Sequence, residues 1–151
     1  MLKADIEKRF RLQQRKIYIQ KEGPHPMTRQ QIFTYAKTKY GTEPDYPWSD
    51  TNAVLRHRDN RKWYGLVMEV GREKLGLPGD GLVDVLNVKC DPVLGSFLRT
   101  QEGFHPAYHM NKEQWITIRL DGSAPEKEIK HLLDLSYDLT AAKKNNKKER
   151  T

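Results

Sequence analysis

The chain has 151 residues, of which 36% are apolar and 31% charged, a formal net charge of +7 and a single cysteine. That length suffices for one cored domain with short extensions, while the lone cysteine excludes a disulfide scaffold. No run of about 18 apolar residues exists, which excludes a membrane-spanning helix.

The basic excess sits at the ends. Residues 1–25 carry seven Lys/Arg against three Asp/Glu, residues 142–151 carry five against one, and residues 26–141 carry fifteen against sixteen. The middle is therefore close to neutral, and the sequence pI near 9.5 does not by itself mark it as a phosphate binder. The mixed-charge start has no apolar h-region, and Cys90 has no partner. Both features lead to the expectation of a cytoplasmic protein.

Residues 2–21 read as a basic helix, with Leu2, Ile6, Phe10 and Ile17 as a narrow apolar stripe among Lys8, Arg9, Arg11, Arg15 and Lys16. The stripe suits docking on the chain's own domain or on a dimer partner. The basic flanks also suit nucleic acid or a membrane surface. Gly23-Pro24-His25-Pro26 then breaks the helix as a linker. The expected divisions are an extension over 1–26, a domain over 27–141 and a flexible basic tail over 142–151.

Thr28 opens the next helix with Gln31 at capping-box spacing; Ile32, Phe33, Ala36 and Tyr40 give its apolar face, and Gly41 ends it. A Pro- and aromatic-rich loop follows, in which Tyr46 and Trp48 are expected to fold back onto the core edge. Asn52–Arg58 alternates as a strand, with Ala53, Leu55 and His57 on one face and Val54, Arg56 and Arg58 on the other. Asp59-Asn60-Arg61 is a hairpin turn leading into a strand over Lys62–Val70. The Gly-rich stretch 71–81 is a loop. Leu82–Cys90 is a third strand, with Leu86, Val88 and Cys90 on one face and Val83, Val85, Asn87 and Lys89 on the other.

Asp91-Pro92 starts a short helix by N-cap and first-turn proline, and Gly103 closes it. Gln114–Leu120 is a strand with Ile116, Ile118 and Leu120 inward and Trp115, Thr117 and Arg119 outward. After the Asp121-Gly122 turn, Ser123 is positioned to cap a last helix whose stripe is Ile129, Leu132, Leu133, Ser136 and Leu139. The element order is α-α-β-β-β-α-β-α. The expected class is α+β, an antiparallel sheet with helices packed on one face and the other face open to solvent or a partner.

No phosphate-cradling glycine motif is present, since residues 71–81 match neither GxxxxGK[ST] nor GxGxxG. His105 and His109 are four apart, but Pro106 lies between them and no third ligand stands at recognised spacing. Cys90 points inward without a nearby histidine and reads as a structural thiol. No catalytic residue, metal or cofactor is assigned. What remains is a surface. The alternation puts Arg56, Arg58, Asn87, Lys89, Trp115, Thr117 and Arg119 on the non-helix face, joined at the hairpin by Arg61 and Lys62. Cations offer phosphate contacts and an exposed indole offers stacking, although the same set also describes an ordinary solvated sheet face.

One stretch carries a family resemblance. Pro106, Tyr108, His109, Met110, Asn111, Lys112, Trp115, Thr117, Ile118, Leu120, Asp121-Gly122-Ser123, Pro125 and Ser136-Tyr137 follow the pattern of the MmcQ/YjbR family. Leu86–Pro92 resembles that family's central strand-to-helix motif, and Met27–Tyr40 its opening helix, so the resemblance spans about residues 27–141. It implies a compact α+β fold similar to secretion-chaperone and frataxin-like layouts, and a DNA-binding role through a double-wing arrangement. Asn87, Lys89, His109, Asn111, Lys112 and Trp115 are motif positions, with His109, Asn111 and Lys112 open to a turn-building role as well. The resulting expectation is a non-enzymatic DNA-binding module using the sheet face, hairpin and basic ends. The second reading is a protein-interaction module that forms a homodimer or holds a peptide. A frataxin-like metal role is disfavoured, because the Thr28–Tyr40 helix has no ridge of acids.

Overall fold

The computed structural model describes residues 26–143; the helix expected over 2–21, with Phe10 and Ile17, and most of the basic tail lie outside the described residues. Helix α1 spans Arg29–Tyr40. Thr28 Oγ1 accepts from the Gln31 N–H at 3.2 Å and Gln31 Oε1 accepts from the Thr28 N–H at 2.8 Å, the reciprocal box its spacing predicts. Gly41 ends the helix in the left-handed region at φ 71°, which costs glycine little.

The strands are β1 (Ala53–Arg56), β2 (Trp63–Gly71), β3 (Leu82–Lys89), β4 (Phe104–Pro106) and β5 (Trp115–Arg119), all antiparallel in the order β1-β2-β3-β5-β4. Helix α2 (Pro92–Leu98) follows β3, and α3 (Glu126–Thr140) closes the domain. Asp91 caps α2 as expected, accepting from the Val93 and Leu94 N–H groups at 2.8 and 3.2 Å.

The α+β class and the packing of helices on one sheet face stand. Ile32, Phe33 and Ala36 of α1, Leu98 of α2, and Ile129, Leu132 and Leu133 of α3 share one core with Ala53, Leu55, Val67, Leu86, Val88, Ile116 and Ile118. Each fully buried aliphatic side chain contributes about 1.5–3 kcal/mol, which makes this face the main source of stability. Ser136 ties α3 to the sheet: its Oγ donates to the Tyr64 carbonyl at 2.6 Å and accepts from the Lys89 N–H at 2.9 Å.

The other face is largely covered. Val54, Leu66, Met68, Val70, Val83 and Val85 form a second buried cluster, against which Trp63, Leu75, Leu77, Tyr108 and Met110 pack. Two connections supply the cover. One holds a short 3₁₀ turn, Arg72–Leu75, and the other runs from β4 to β5. The expectation of a solvated sheet face is therefore corrected: β1 to β3 are apolar on both faces.

The remaining differences are local. β4 is absent from the expected order because three residues ending in proline show no alternation. Gly103 does not close α2, which stops at Leu98. Ser123 does not cap α3; its N–H donates to Asp121 Oδ1 at 3.0 Å, and Pro125 occupies the cap position. The α3 stripe ends on buried Thr140, four residues after Ser136, and leaves Leu139 exposed. Between β1 and β2 the register shifts from Leu55↔Gly65 to Arg56↔Trp63, leaving Tyr64 as the extra residue of a bulge. That shift sends Tyr64 into the main core and Trp63 to the opposite cluster.

Candidate nucleic-acid interface

The expected contact residues separate into three groups. The first stands at the β1–β2 hairpin. Arg58, Arg61 and Lys62 are exposed and, among the described residues, have no acidic partner within ion-pair distance. The hairpin is held by short-range geometry. Asn60 Oδ1 accepts from the Lys62 N–H at 2.8 Å, the His57 N–H donates to the Lys62 carbonyl at 2.9 Å, and Arg61 sits at φ 63°. It is also anchored to the end of α3. Asn60 Nδ2 donates to the Thr140 carbonyl at 3.0 Å, and His57 Nε2 lies 2.8 Å from Thr140 Oγ1.

Arg56 points into the same region but is half-buried and engaged. Its Nε donates to Asp45 at 3.0 Å and its guanidinium lies 5.4 Å from the centre of the Trp63 ring. Arg56, Arg58 and Arg61 line one open groove of about 480 Å³ together with Lys37, Glu43 and Asp45. Lys37 pairs with Glu43 at 2.9 Å, and Arg56 pairs with Asp45. The uncompensated charge in the groove is therefore that of Arg58 and Arg61.

The second group is interior, and here the expectation is corrected. Asn87 is 0% exposed, buried by Tyr108 and its neighbours. Its Nδ2 donates to the Tyr108 carbonyl at 2.9 Å and its Oδ1 accepts from Thr117 Oγ1 at 2.6 Å. Thr117 in turn accepts from the Tyr108 N–H at 2.8 Å. The three groups pin the covering loop to β3 and β5. Arg119 is only 9% exposed and pairs with Asp121 at 3.2 Å. Neither Asn87 nor Thr117 can reach a phosphate without opening the loop, and Arg119 is nearly buried and committed to Asp121. Lys89 and Trp115 are half-buried partners across β3 and β5.

The third group builds the loop itself. Asn111 Oδ1 accepts from the Glu113 and Gln114 N–H groups at 2.8 and 3.3 Å, and the Asn111 carbonyl accepts from the Trp115 N–H at 3.0 Å. Lys112 Nζ donates to the Ala107 carbonyl at 3.0 Å. His109 adopts φ 61°, exposed, with its ring 3.9 Å from that of Tyr108. The turn-building alternative is thus the one these contacts describe for Asn111 and Lys112.

His105 does not join His109. It lies in β4 opposite Thr117, where burial and the Arg119 charge lower its pKa. Burial, and then the Asp91 charge, push the Cys90 thiol up, away from the reactive thiolate.

A second groove, of about 520 Å³, opens over the apolar sheet face. Trp48 and Trp63 line it with their rings 5.8 Å apart at 85°; Met68 and Met110 contribute sulfur, and Asp50 and Asn52 a polar rim. Sequence reasoning missed this site. Trp48 does meet the core edge as expected, through Trp63, yet it remains 48% exposed. Nothing in the alternation of β2 marks Trp63, because the bulge moves it to this face.

A five-stranded antiparallel sheet, helices on one face, a pinned loop on the other and a cationic hairpin define a small two-sided α+β module. The YjbR family profile matches residues 37–139, and the chain belongs to that family. The uncharacterized protein YyaQ of Bacillus subtilis is 52% identical over 116 residues, which is 76% of this chain and 98% of YyaQ. YjbR of Escherichia coli K12 is 42% identical over 53 residues, 34% of this chain and 45% of that one. A crystal structure of a Pseudomonas syringae protein superposes with a TM-score of 0.74 at 50% identity, covering 76% of this chain and all of that one. A Deinococcus radiodurans protein with a DUF419 domain gives a TM-score of 0.61 at 25% identity, covering 83% and 88%. Among the described residues no helix is long and apolar enough to cross a membrane.

Proposed function

We propose that the chain is a non-enzymatic nucleic-acid-binding module whose contacts come from the β1–β2 hairpin and the basic ends rather than from the sheet face. One observation supports this reading above the others: Arg58, Arg61 and Lys62 project from a rigidly anchored hairpin beside an open groove, with no acidic partner among the described residues. Phosphate contacts of this kind supply affinity without sequence preference. The near-neutral domain adds little long-range attraction, so the terminal segments carry much of the electrostatics.

Duplex affinity of the full chain is expected to fall steeply between low and physiological salt. Replacing Arg58, Arg61 and Lys62 with alanine should reduce the log–log salt slope by about 2–3, since each lost phosphate contact removes about 0.9. A full chain with no measurable affinity for DNA, duplex or single-stranded, at about 50 mM salt would sink the proposal.

A further inference from the structure

The cationic groove and the tryptophan groove lie on either side of one contact. Arg56 lines the first, and its guanidinium covers a face of Trp63, which lines the second. The two grooves differ sharply in chemistry. The first has an unpaired pair of arginines, whereas no Lys or Arg lines the second. Its walls are two perpendicular indoles, and its floor is Leu66, Met68 and Met110. Its rim carries the Asp50 carboxylate and the Asn52 and Asn111 carboxamides, whose oxygens already accept from the Asn52, Glu69 and Glu113 N–H groups, with the His109 imidazole beside them.

That division fits one ligand better than a duplex. A strand with unpaired bases needs cations along its backbone and, nearby, an apolar slot with a stacking surface. Base edges carry both donors and acceptors, and the Asn111 Nδ2 donors and the remaining lone pairs of the Asp50 carboxylate are what the rim can offer them. A phosphate has no reason to enter the second groove, since Asp50 would repel it and no cation would hold it. A duplex presents no free base face to an indole.

We infer that the groove between Trp48 and Trp63 is a seat for an unpaired nucleobase, and that the chain binds single strands with phosphates on Arg58 and Arg61 and a base against Trp48. This deepens the nucleic-acid reading and rests on it. Trp48 is the stacking surface, since it is the more exposed indole; Trp63 is the wall held from behind by Arg56.

The test uses the full chain with three probes of equal length, about 20 nucleotides. These are a mixed-sequence single strand, the same strand carrying abasic sites in place of its central bases, and the matching duplex. Binding is read by anisotropy of a labelled strand. The single strand is expected to bind about tenfold or more tightly than the abasic strand. Trp48→Ala should weaken the single strand about tenfold and abolish its preference over the abasic strand, while Trp48→Phe keeps most of it. Because Trp48 is half exposed, Trp48→Ala leaves the core intact, and an unchanged circular dichroism melt checks this. Equal binding of base-bearing and abasic strands, or a Trp48→Ala protein that binds the single strand like the parent, overturns the base seat. If the duplex still binds in that case, the hairpin reading survives. If no probe binds at about 50 mM salt, both readings fall.

Discussion

Asn87 separates a scaffold role from a contact role most cleanly. It is a motif position and was a natural candidate for reading nucleic acid, yet it is fully buried with both ends of its carboxamide used. Asn87→Ala would leave the Tyr108 carbonyl and the Thr117 hydroxyl without their partner. An orphaned buried polar group costs about 1–3 kcal/mol, and partial recovery by water or rotation of the Thr117 hydroxyl lowers the sum. The expected loss is about 2–4 kcal/mol, a Tm drop of about 10 °C for a domain of this size. Thr117→Val removes the donor to Asn87 and the acceptor for the Tyr108 N–H, at about 2 kcal/mol. The double variant should cost less than the sum of the two, because both singles break the same Asn87–Thr117 bond. Urea unfolding followed by tryptophan fluorescence gives all four values. Duplex affinity measured well below the transition should change little. An Asn87→Ala protein as stable as the parent but impaired in binding would refute the scaffold assignment.

Three further predictions concern contacts elsewhere in the domain. Burial alone would raise the Asp134 carboxyl, but donation by Lys39, Tyr40 and Tyr35 outweighs it and holds the group below the ordinary carboxylate range. Asp134 therefore binds protons less readily folded than unfolded. Its stabilisation is present above about pH 4 and is lost as pH falls through the folded value, so Asp134→Asn should flatten the acid limb of the stability curve. Gly103→Ala should cost about 2 kcal/mol or more, since φ is 92° and a Cβ would meet the Ala124 nitrogen at 2.9 Å; a matched Tm scan checks it. Ser136→Ala should cost about 2 kcal/mol in urea unfolding, because the Tyr64 carbonyl and Lys89 N–H both lose their partner between α3 and the sheet.

Much of the fold was legible where one local rule governs one residue. Thr28 with Gln31, Asp91 with Pro92, and the alternation of Ile116 and Ile118 each specify their element from neighbours in sequence. The second buried face was not legible, because its cover is remote. Val83 and Val85 alternate with Asp84 as they would beside water, and only the return of Tyr108 and Met110 over the sheet encloses them. Polar residues on that face misled for the same reason. Asn87 and Thr117 look solvent-facing in sequence because they bond the backbone of Tyr108, 21 and 9 residues away, and backbone leaves no residue-type signal. The hairpin cations were found because exposure there needs only a turn. Trp63 was missed as a site residue because a bulge reverses facing without changing composition.

The closed sheet edges narrow how this domain can recognise anything. Beyond β1, Asp45 and Val54 exchange both backbone hydrogen bonds, at 2.9 and 2.8 Å, so the connection after α1 already occupies part of that edge. At the other side β4 is three residues long and ends in Pro106, which has no N–H to offer. Addition of a partner strand, the simplest way for an α+β sheet to hold a peptide or pair with a second copy, meets a blunted ladder at both sides. One sheet face lies under helices and the other under a loop pinned by Asn87 and Thr117. Among the described surfaces, what remains for recognition is the β1–β2 hairpin, the two grooves, and the exposed side of the helices, where Val93 and Phe97 stand out. On the proposed reading, the uncompensated arginines of the hairpin groove take a phosphate backbone and the exposed Trp48 a free base, whereas a peptide strand would need a sheet edge that both sides deny it.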